Sequence, residues 1–393
     1  MERVKKAIRE NLRQYGMLLA FATIVILFEI LTKGVLLKPL NITNLIQQNS
    51  YVLILAIGML LPILCGFIDL SVGSIVAIVG AVSAKMMVTA EMPVLLTVIV
   101  ALLIGLAIGA WHGFWIAYVR IPPFIVTLSG MLVFRGLTMV ILKGQTIAPM
   151  PKSFQQISSG FVPDFLGSGG TGDGTLHIAT LVIAAILCAL FVYTQFKNRS
   201  KRAKYGFEVG SMGVFIAKNI AIVAILMAFS YQLAVYKGFP MVLVLLGALI
   251  LIYNFITQDT VIGRHIYAFG GNEKAASLSG INTKLVFFGV YANMGLLAAV
   301  AGLIFTGRLN AATPKAGQSF EMDAIGACYI GGASASGGIG TVMGAMIGGL
   351  IMGVLNNGMS ILGVSIDWQQ AIKGIILLLA VAFDVLSKSK SSK

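Results

Sequence analysis

The chain has 393 residues, of which 58% are hydrophobic and only 11% charged, against roughly 25% charged in an average soluble domain. That balance excludes an ordinary soluble enzyme and predicts a polytopic membrane protein. A formal net charge of +14 would suit nucleic acid only on a soluble basic face with aromatic or helical readers; here the charges lie between apolar segments and mark topology.

In chain order, the basic arm of residues 1–14 carries Arg3, Lys5, Lys6, Arg9 and Arg13. The apolar run Gly16 to Leu31 follows without a small-residue cleavage site and reads as an uncleaved first span. Further apolar segments of spanning or near-spanning length are predicted at Ser50 to Phe67, Val72 to Val88, Val94 to Val119, Phe124 to Leu142 and Leu176 to Phe196. Val214 to Tyr236, Met241 to Thr257, Leu285 to Thr306, Val342 to Leu355 and Ile372 to Leu386 complete the series, with a shorter apolar piece at Ala324 to Gly332.

The positive-inside rule places the basic arm, the loop from Lys197 to Lys204 and the tail with Lys388, Lys390 and Lys393 in the cytoplasm. With both termini inside, the number of crossings is even, so the piece at Ala324 crosses or pairs with its neighbour to cross. The expected fold is an all-α polytopic membrane protein, a single transmembrane domain over residues 1–393 with about twelve transmembrane helices, some short or broken. The Gly-, Ser- and Pro-rich connection of residues 143–175, carrying Asp164 and Asp173, then falls outside, as a plain loop or a cap on the outer mouth.

Leu61 to Val82 reads LPILCGFIDLSVGSIVAIVGAV, an apolar run with a carboxylate, two serines and close glycines near its middle. An ionised Asp69 in hydrocarbon costs at least about 2.5–3.5 kcal/mol, so it must be masked, face water or lie outside the hydrocarbon. Two readings stand: Asp69 caps a helix that starts near Ser71, or it contributes directly to a substrate path with Ser71 and Ser74. A broken helix at membrane depth is tolerated where it is buried in protein or lines a wet cavity, which suits both. The segment Cys65 to Ser74 is similar to YIGGASASGGIG, Tyr329 to Gly340: an apolar lead-in, a small and polar break, then a Gly/Ala-dotted helix. This is the pattern of a weak parallel internal repeat.

Other polar residues in apolar surroundings are Glu29, Gln47, Gln48, Asn49, His112, Arg135, Asn254, Asn293, Asn356, Asn357, Gln369, Gln370 and Lys373. Such groups seek partners or water, some as glue between helices and some along a path; Asn49, Asn356 and Asn357 join Asp69, Ser71 and Ser74 as path candidates. Cys65, Cys188 and Cys328 lie in apolar segments and act as small hydrophobes. The three histidines show no metal-ligand spacing. No phosphate-binding loop of the GxxxxGK[ST] kind, nucleophile elbow or HExxH motif occurs, so no catalytic or metal residue is assigned. In the loop YAFGGNEKAASLSGI, Tyr267 to Ile281, Asn272 is a plausible cap, Glu273 suits a first turn and Gly280 a helix end. The loop reads as an ordinary connector or as a helix displayed for a partner.

Together, GFIDLSVGSIVAIVGA, IPPFIVTLSGMLVFRG, GRHIYAFGGNEKAASLSGI, EMDAIGACYIGGASASGGIGTVMGAMIGG and LNNGMSILGV closely resemble the permease subunits of bacterial ribose, xylose and multiple-monosaccharide ABC importers. The match runs in order over nearly the whole chain. The extra material of residues 199–240, with one to two further spans, resembles the xylose and multiple-sugar members. The resemblance implies import of a monosaccharide through a homodimeric permease of the inner membrane, with both termini cytoplasmic and the 143–175 loop periplasmic. A periplasmic sugar-binding protein would deliver the sugar. ATP and Mg would be bound by a separate cytoplasmic ATPase, with no cofactor in this chain, and no nucleic acid is a partner. It also implies that residues 263–284 form a coupling loop, through Gly271, Asn272, Glu273, Ala275, Ala276 and Gly280, although Lys274 interrupts the usual acidic-to-alanine adjacency. The competing readings are a branched-chain amino-acid ABC permease and an ion-coupled secondary transporter, in which Asp69, Glu29 or Arg135 would relay protons.

Overall fold

The structure is a computed structural model describing residues 12–167, 176–207 and 209–391; Arg3, Lys5, Lys6, Arg9, Asp173 and Lys393 lie outside them. Among the described residues there are fifteen α-helices and no strand. They are α1 (Leu12–Leu31), α2 (Pro39–Leu64), α3 (Val72–Ala84, continued by a π-helical turn Lys85–Thr89), α4 (Val94–Ala117), α5 (Pro123–Leu142) and α6 (Lys152–Ser159). Then come α7 (Ile178–Lys204), α8 (Met212–Tyr236), α9 (Met241–Asp259), α10 (Val261–Gly271) and α11 (Glu273–Leu278). The chain closes with α12 (Thr283–Leu309), α13 (Phe320–Ile330), α14 (Val342–Ile361) and α15 (Ile366–Ser391).

Ten of these helices are long and apolar enough to cross a membrane. The apolar part of α1, Gly16–Leu31, and the 11-residue α13 are shorter, and the sequence-based figure of about twelve counts both of them. Three boundaries differ from the apolar segments in an informative way. α2 runs back to Pro39 through Gln47, Gln48 and Asn49, α14 runs on through Asn356 and Asn357, and α15 starts at Ile366, ahead of Gln369 and Gln370. Hydropathy stops where polar side chains begin, but the backbone hydrogen bonds of a helix do not depend on side-chain polarity.

The chain forms two compact units. The first comprises Met1–Leu36, Leu45–Ser159 and Val242–Lys393. Its core is built on α2, α3, α12 and α14, whose apolar side chains are largely buried, whereas α15 presents Trp368, Ile375, Leu378 and Leu379 outward. α4 packs on α12 with little between the backbones. Gly105, Gly109 and Gly113 recur every four residues on one face of α4, and a Cβ added at Gly109 would run into the Tyr291 carbonyl. This is the small-residue packing that substitutes for a hydrophobic driving force between helices in lipid. α3 lies beside the second half of α12: Gly302 approaches Val76, and Gly80 approaches Thr306. At 1.5 Å per residue, α3 therefore starts about 20 Å along α12, inside the bundle rather than at its end.

The second unit comprises Leu37–Asn44 and Gly160–Met241. α7 and α8 form an antiparallel pair, tied by His177 N–H to the Ala234 carbonyl (2.9 Å) at one end. At the other end, Phe196 meets Phe215 edge-to-face, and Arg199 lies over the Phe215 ring while donating to the Gly210 carbonyl. Asp164 caps α7 from the preceding loop, accepting from the Ile178 and Ala179 amides at 3.1 and 3.0 Å. Residues 199–240 thus supply the last turn of α7 and all of α8.

Candidate functional site: a polar cavity and a projecting helix

α2 ends where Gly66 adopts φ +86, a left-handed stop favourable to glycine. Asp69 follows, nearly inaccessible at 1% exposure. Its Oδ1 accepts from the Ser71 amide (2.8 Å) and the Ser71 hydroxyl (2.6 Å), and Ser74 Oγ donates to the Ser71 carbonyl (2.6 Å). Asp69 therefore acts two residues ahead of Ser71, the N-cap residue of α3, as an Asx turn that satisfies one free amide at the helix start. Its Oδ2 has no hydrogen-bond partner among the described residues.

The chain before α13 dips toward this break. Gly73 and Gly317 touch backbone to backbone, and Arg135 of α5 donates to the Ala316 and Gly317 carbonyls. The first turns of α3 and α13 thus meet inside the bundle.

Beside that meeting point lies a cavity of about 330 Å³, within the size range of ligand pockets. Gln48 and Asn49 face it from α2, Asn356 and Asn357 from α14, Gln369 and Gln370 from α15, and Gln318 from the turn before α13. Its aromatic wall is Tyr51 stacked on Phe320, ring centroids 3.9 Å apart, with Phe305 edge-on to both. Its charges neutralise each other: Lys373 Nζ donates to Asp323 Oδ1 at 2.9 Å. Asn356 also hydrogen-bonds Asp323, leaving its Oδ1 buried without a partner among the described residues.

Of the path candidates, Asn49, Asn356 and Asn357 share this cavity, while Asp69, Ser71 and Ser74 are not among its lining residues. Tyr51, Phe320 and Asp323 escape a reading of sequence. Asp323 carries a usable signal, an acid at the start of an apolar run while Lys373 sits in another. The fifty positions between them hide the pairing.

The other end of the first unit presents α11. Asn272 Oδ1 accepts from the Ala275 amide (3.0 Å), Glu273 occupies the first turn, and Gly280 closes the helix at φ +85. Only Ala276 of this helix is buried; Glu273, Lys274 and Ala275 are exposed, and Leu278 stands 90% exposed.

The model of the family described as branched-chain amino acid transport system / permease component matches residues 41–213 and 208–381. The xylose transport system permease protein XylH of Haemophilus influenzae is 40% identical over 380 residues, 97% of this chain and 98% of that one. The chain belongs to this permease family. XylH of Escherichia coli (strain K12) is 40% identical over 381 residues, 97% of the permease and 94% of that protein. The ribose import permease protein RbsC of Bacillus subtilis (strain 168) is 38% identical over 373 residues, 95% and 93% respectively. No solved structure matches the permease. It is a multi-pass membrane protein, the transport component of a bacterial ABC importer and not its catalyst. Such a permease works with an ATPase and a binding protein.

Proposed function

We propose that this permease imports a pentose-class monosaccharide, delivered by a periplasmic binding protein and driven by a cytoplasmic ATPase that binds ATP and Mg. The observation that carries the substrate class is the lining of the cavity. Carboxamides offer donors and acceptors together, matching hydroxyl groups that both donate and accept, and the Tyr51–Phe320 stack offers an apolar surface to a sugar's C–H face. A zwitterionic amino acid would instead need a free cation and a free anion, and here Asp323 and Lys373 already hold each other. The names of the xylose and ribose relatives agree with the sugar reading.

The basic loops orient the molecule. Both termini and α11 face the cytoplasm, the cavity opens toward the periplasm, and α1 and α13 complete about twelve crossings. Two copies form the transporter, and α11 docks the ATPase, with Asn272, Glu273, Ala275, Ala276 and Gly280 shaping the docked helix. Sealed vesicles loaded with ATP and supplied with binding protein test the whole reading, using labelled D-xylose, D-ribose, D-glucose and L-leucine. Pentose uptake that requires internal ATP is expected. Leucine uptake without pentose uptake would overturn the substrate class, and uptake driven by an ion gradient without ATP would overturn the transport class.

A further inference from the structure

Three stretches distant in sequence converge where α10 ends: the end of α2 (Leu64 to Gly66), the last turn of α10 (Gly270 and Gly271) and the break between α13 and α14 (Ser336 to Gly340). The Gly338 amide donates to the Leu64 carbonyl at 2.8 Å. A Cβ added at Gly270 would collide with that same carbonyl and come within 2.7 Å of Gly338 N. One added at Gly337 would lie 2.8 Å from the Gly270 oxygen and 3.0 Å from Gly66 N. One turn earlier in α10, the Tyr267 hydroxyl donates to the Gly340 carbonyl at 2.7 Å. The breaks after α2 and between α13 and α14 thus both seat directly against the backbone that leads, through Asn272, into α11.

The contact is backbone on backbone, with no side chain between that could repack and absorb a displacement. From this junction α2 runs uninterrupted to Tyr51, Asn49 and Gln48, and α14 runs to Asn356 and Asn357. Each lever is about 20 Å long at 1.5 Å per residue. Resting on the reading of α11 as the ATPase-docking helix, we infer that Tyr267, Gly270 and Gly338 are positioning residues: they clamp α10 to both breaks, so that movement of α11 is carried along α2 and α14 to two walls of the sugar cavity. They touch neither sugar nor ATP.

The test uses the permease in complex with its ATPase, in proteoliposomes supplied with the sugar-binding protein. A reporter at Gln370→Cys in the cavity is labelled with a maleimide, with and without vanadate-trapped nucleotide; Cys65, Cys188 and Cys328 are buried and give little background. With Tyr267 intact, trapping should change the labelling rate several-fold. With Tyr267→Phe, which keeps the ring and removes the tie to Gly340 together with a longer contact from Gln258 Nε2 (3.3 Å), assembly and ATP hydrolysis should persist while that change collapses toward unity; Gln258→Leu, which removes only the latter contact, should keep the full change. In the absence of the reporter, D-xylose uptake per ATP hydrolysed should fall several-fold. Gly338→Ala should do the same more severely; if it fails to assemble, Tyr267→Phe alone decides. A full nucleotide response and an unchanged uptake-to-ATP ratio in Tyr267→Phe would overturn the inference and leave the proposed function standing. No nucleotide response with Tyr267 intact would instead overturn the docking role of α11 and the inference with it.

Discussion

Lys373 Nζ and Asp323 Oδ1 stand 2.9 Å apart, joining α15 to α13 across fifty positions of sequence, and both residues line the cavity. The pair is mostly shielded, at 15% and 4% side-chain exposure, so removing one partner strands the other. Lys373→Met should destabilise the permease by about 3–5 kcal/mol, the usual consequence of an unpaired buried charge. Combining it with Asp323→Asn should restore the thermal midpoint in detergent while sugar uptake stays low. A Lys373→Met protein as stable as the parent would show that the pair bears no structural load.

Asp69→Asn retains an oxygen for the Ser71 amide and should assemble and transport nearly as the parent does, because the carboxylate's observed contacts are all local. Asp69→Ala should cost about 0.5–2 kcal/mol, the range for a lost helix-end acceptor. Normal assembly with uptake abolished in both Asp69→Asn and Asp69→Ser would place the charge itself in the transport path.

Leu278 is 90% exposed, so Leu278→Asp should change the permease's stability by no more than about 0.5 kcal/mol. Co-purification of the ATPase and ATP-driven uptake should nevertheless be lost. Retention of both would move the docking surface away from α11.

Gly109→Leu should prevent stable assembly, since even its first side-chain carbon meets the Tyr291 carbonyl. Overpacking typically costs about 1–3 kcal/mol and costs more where the obstacle is backbone. Gly136→Leu, with nothing near its position, is the matched control and should express normally; equal yields of the two would argue against close α4–α12 packing.

Asp164 is held below the ordinary aspartate range. Partial desolvation alone would raise it, but the Ala179 amide, the neighbouring His177 and the Ile178 and Leu166 amides outweigh that. A carboxyl depressed by folding adds stability that is complete above the unfolded value of about 3.9 and disappears as pH falls through the lower folded value. Amide exchange in the first turn of α7 should therefore stay protected at neutral pH and open only below that range, whereas Asp164→Ala should be open throughout. Equal protection in both proteins at neutral pH would rule out the cap.

The apolar segments, the Asn272 cap and Gly280 stop of α11, and the chemistry around Asp69 were legible in sequence because each depends on residues a few positions apart. The ends of α2, α14 and α15 were not. Gln48, Asn49, Asn356, Asn357, Gln369 and Gln370 fall just beyond the apolar segments; Asn49, Asn356 and Asn357 read as path candidates, but that all six are helical and line one common cavity is visible only in the fold. In a membrane protein a lipid-facing surface and a protein-facing one are both apolar, so periodicity cannot say which face of α2 meets α14 or which acid will find Lys373. The closest approaches are glycine-sized: α4 against α12, Gly73 against Gly317, and Gly270 against the Leu64 carbonyl, which also accepts from the Gly338 amide. Each glycine is visible in the sequence, but the backbone that occupies the space of its missing side chain comes from a helix or loop tens to hundreds of residues away, and only the tertiary structure brings it there.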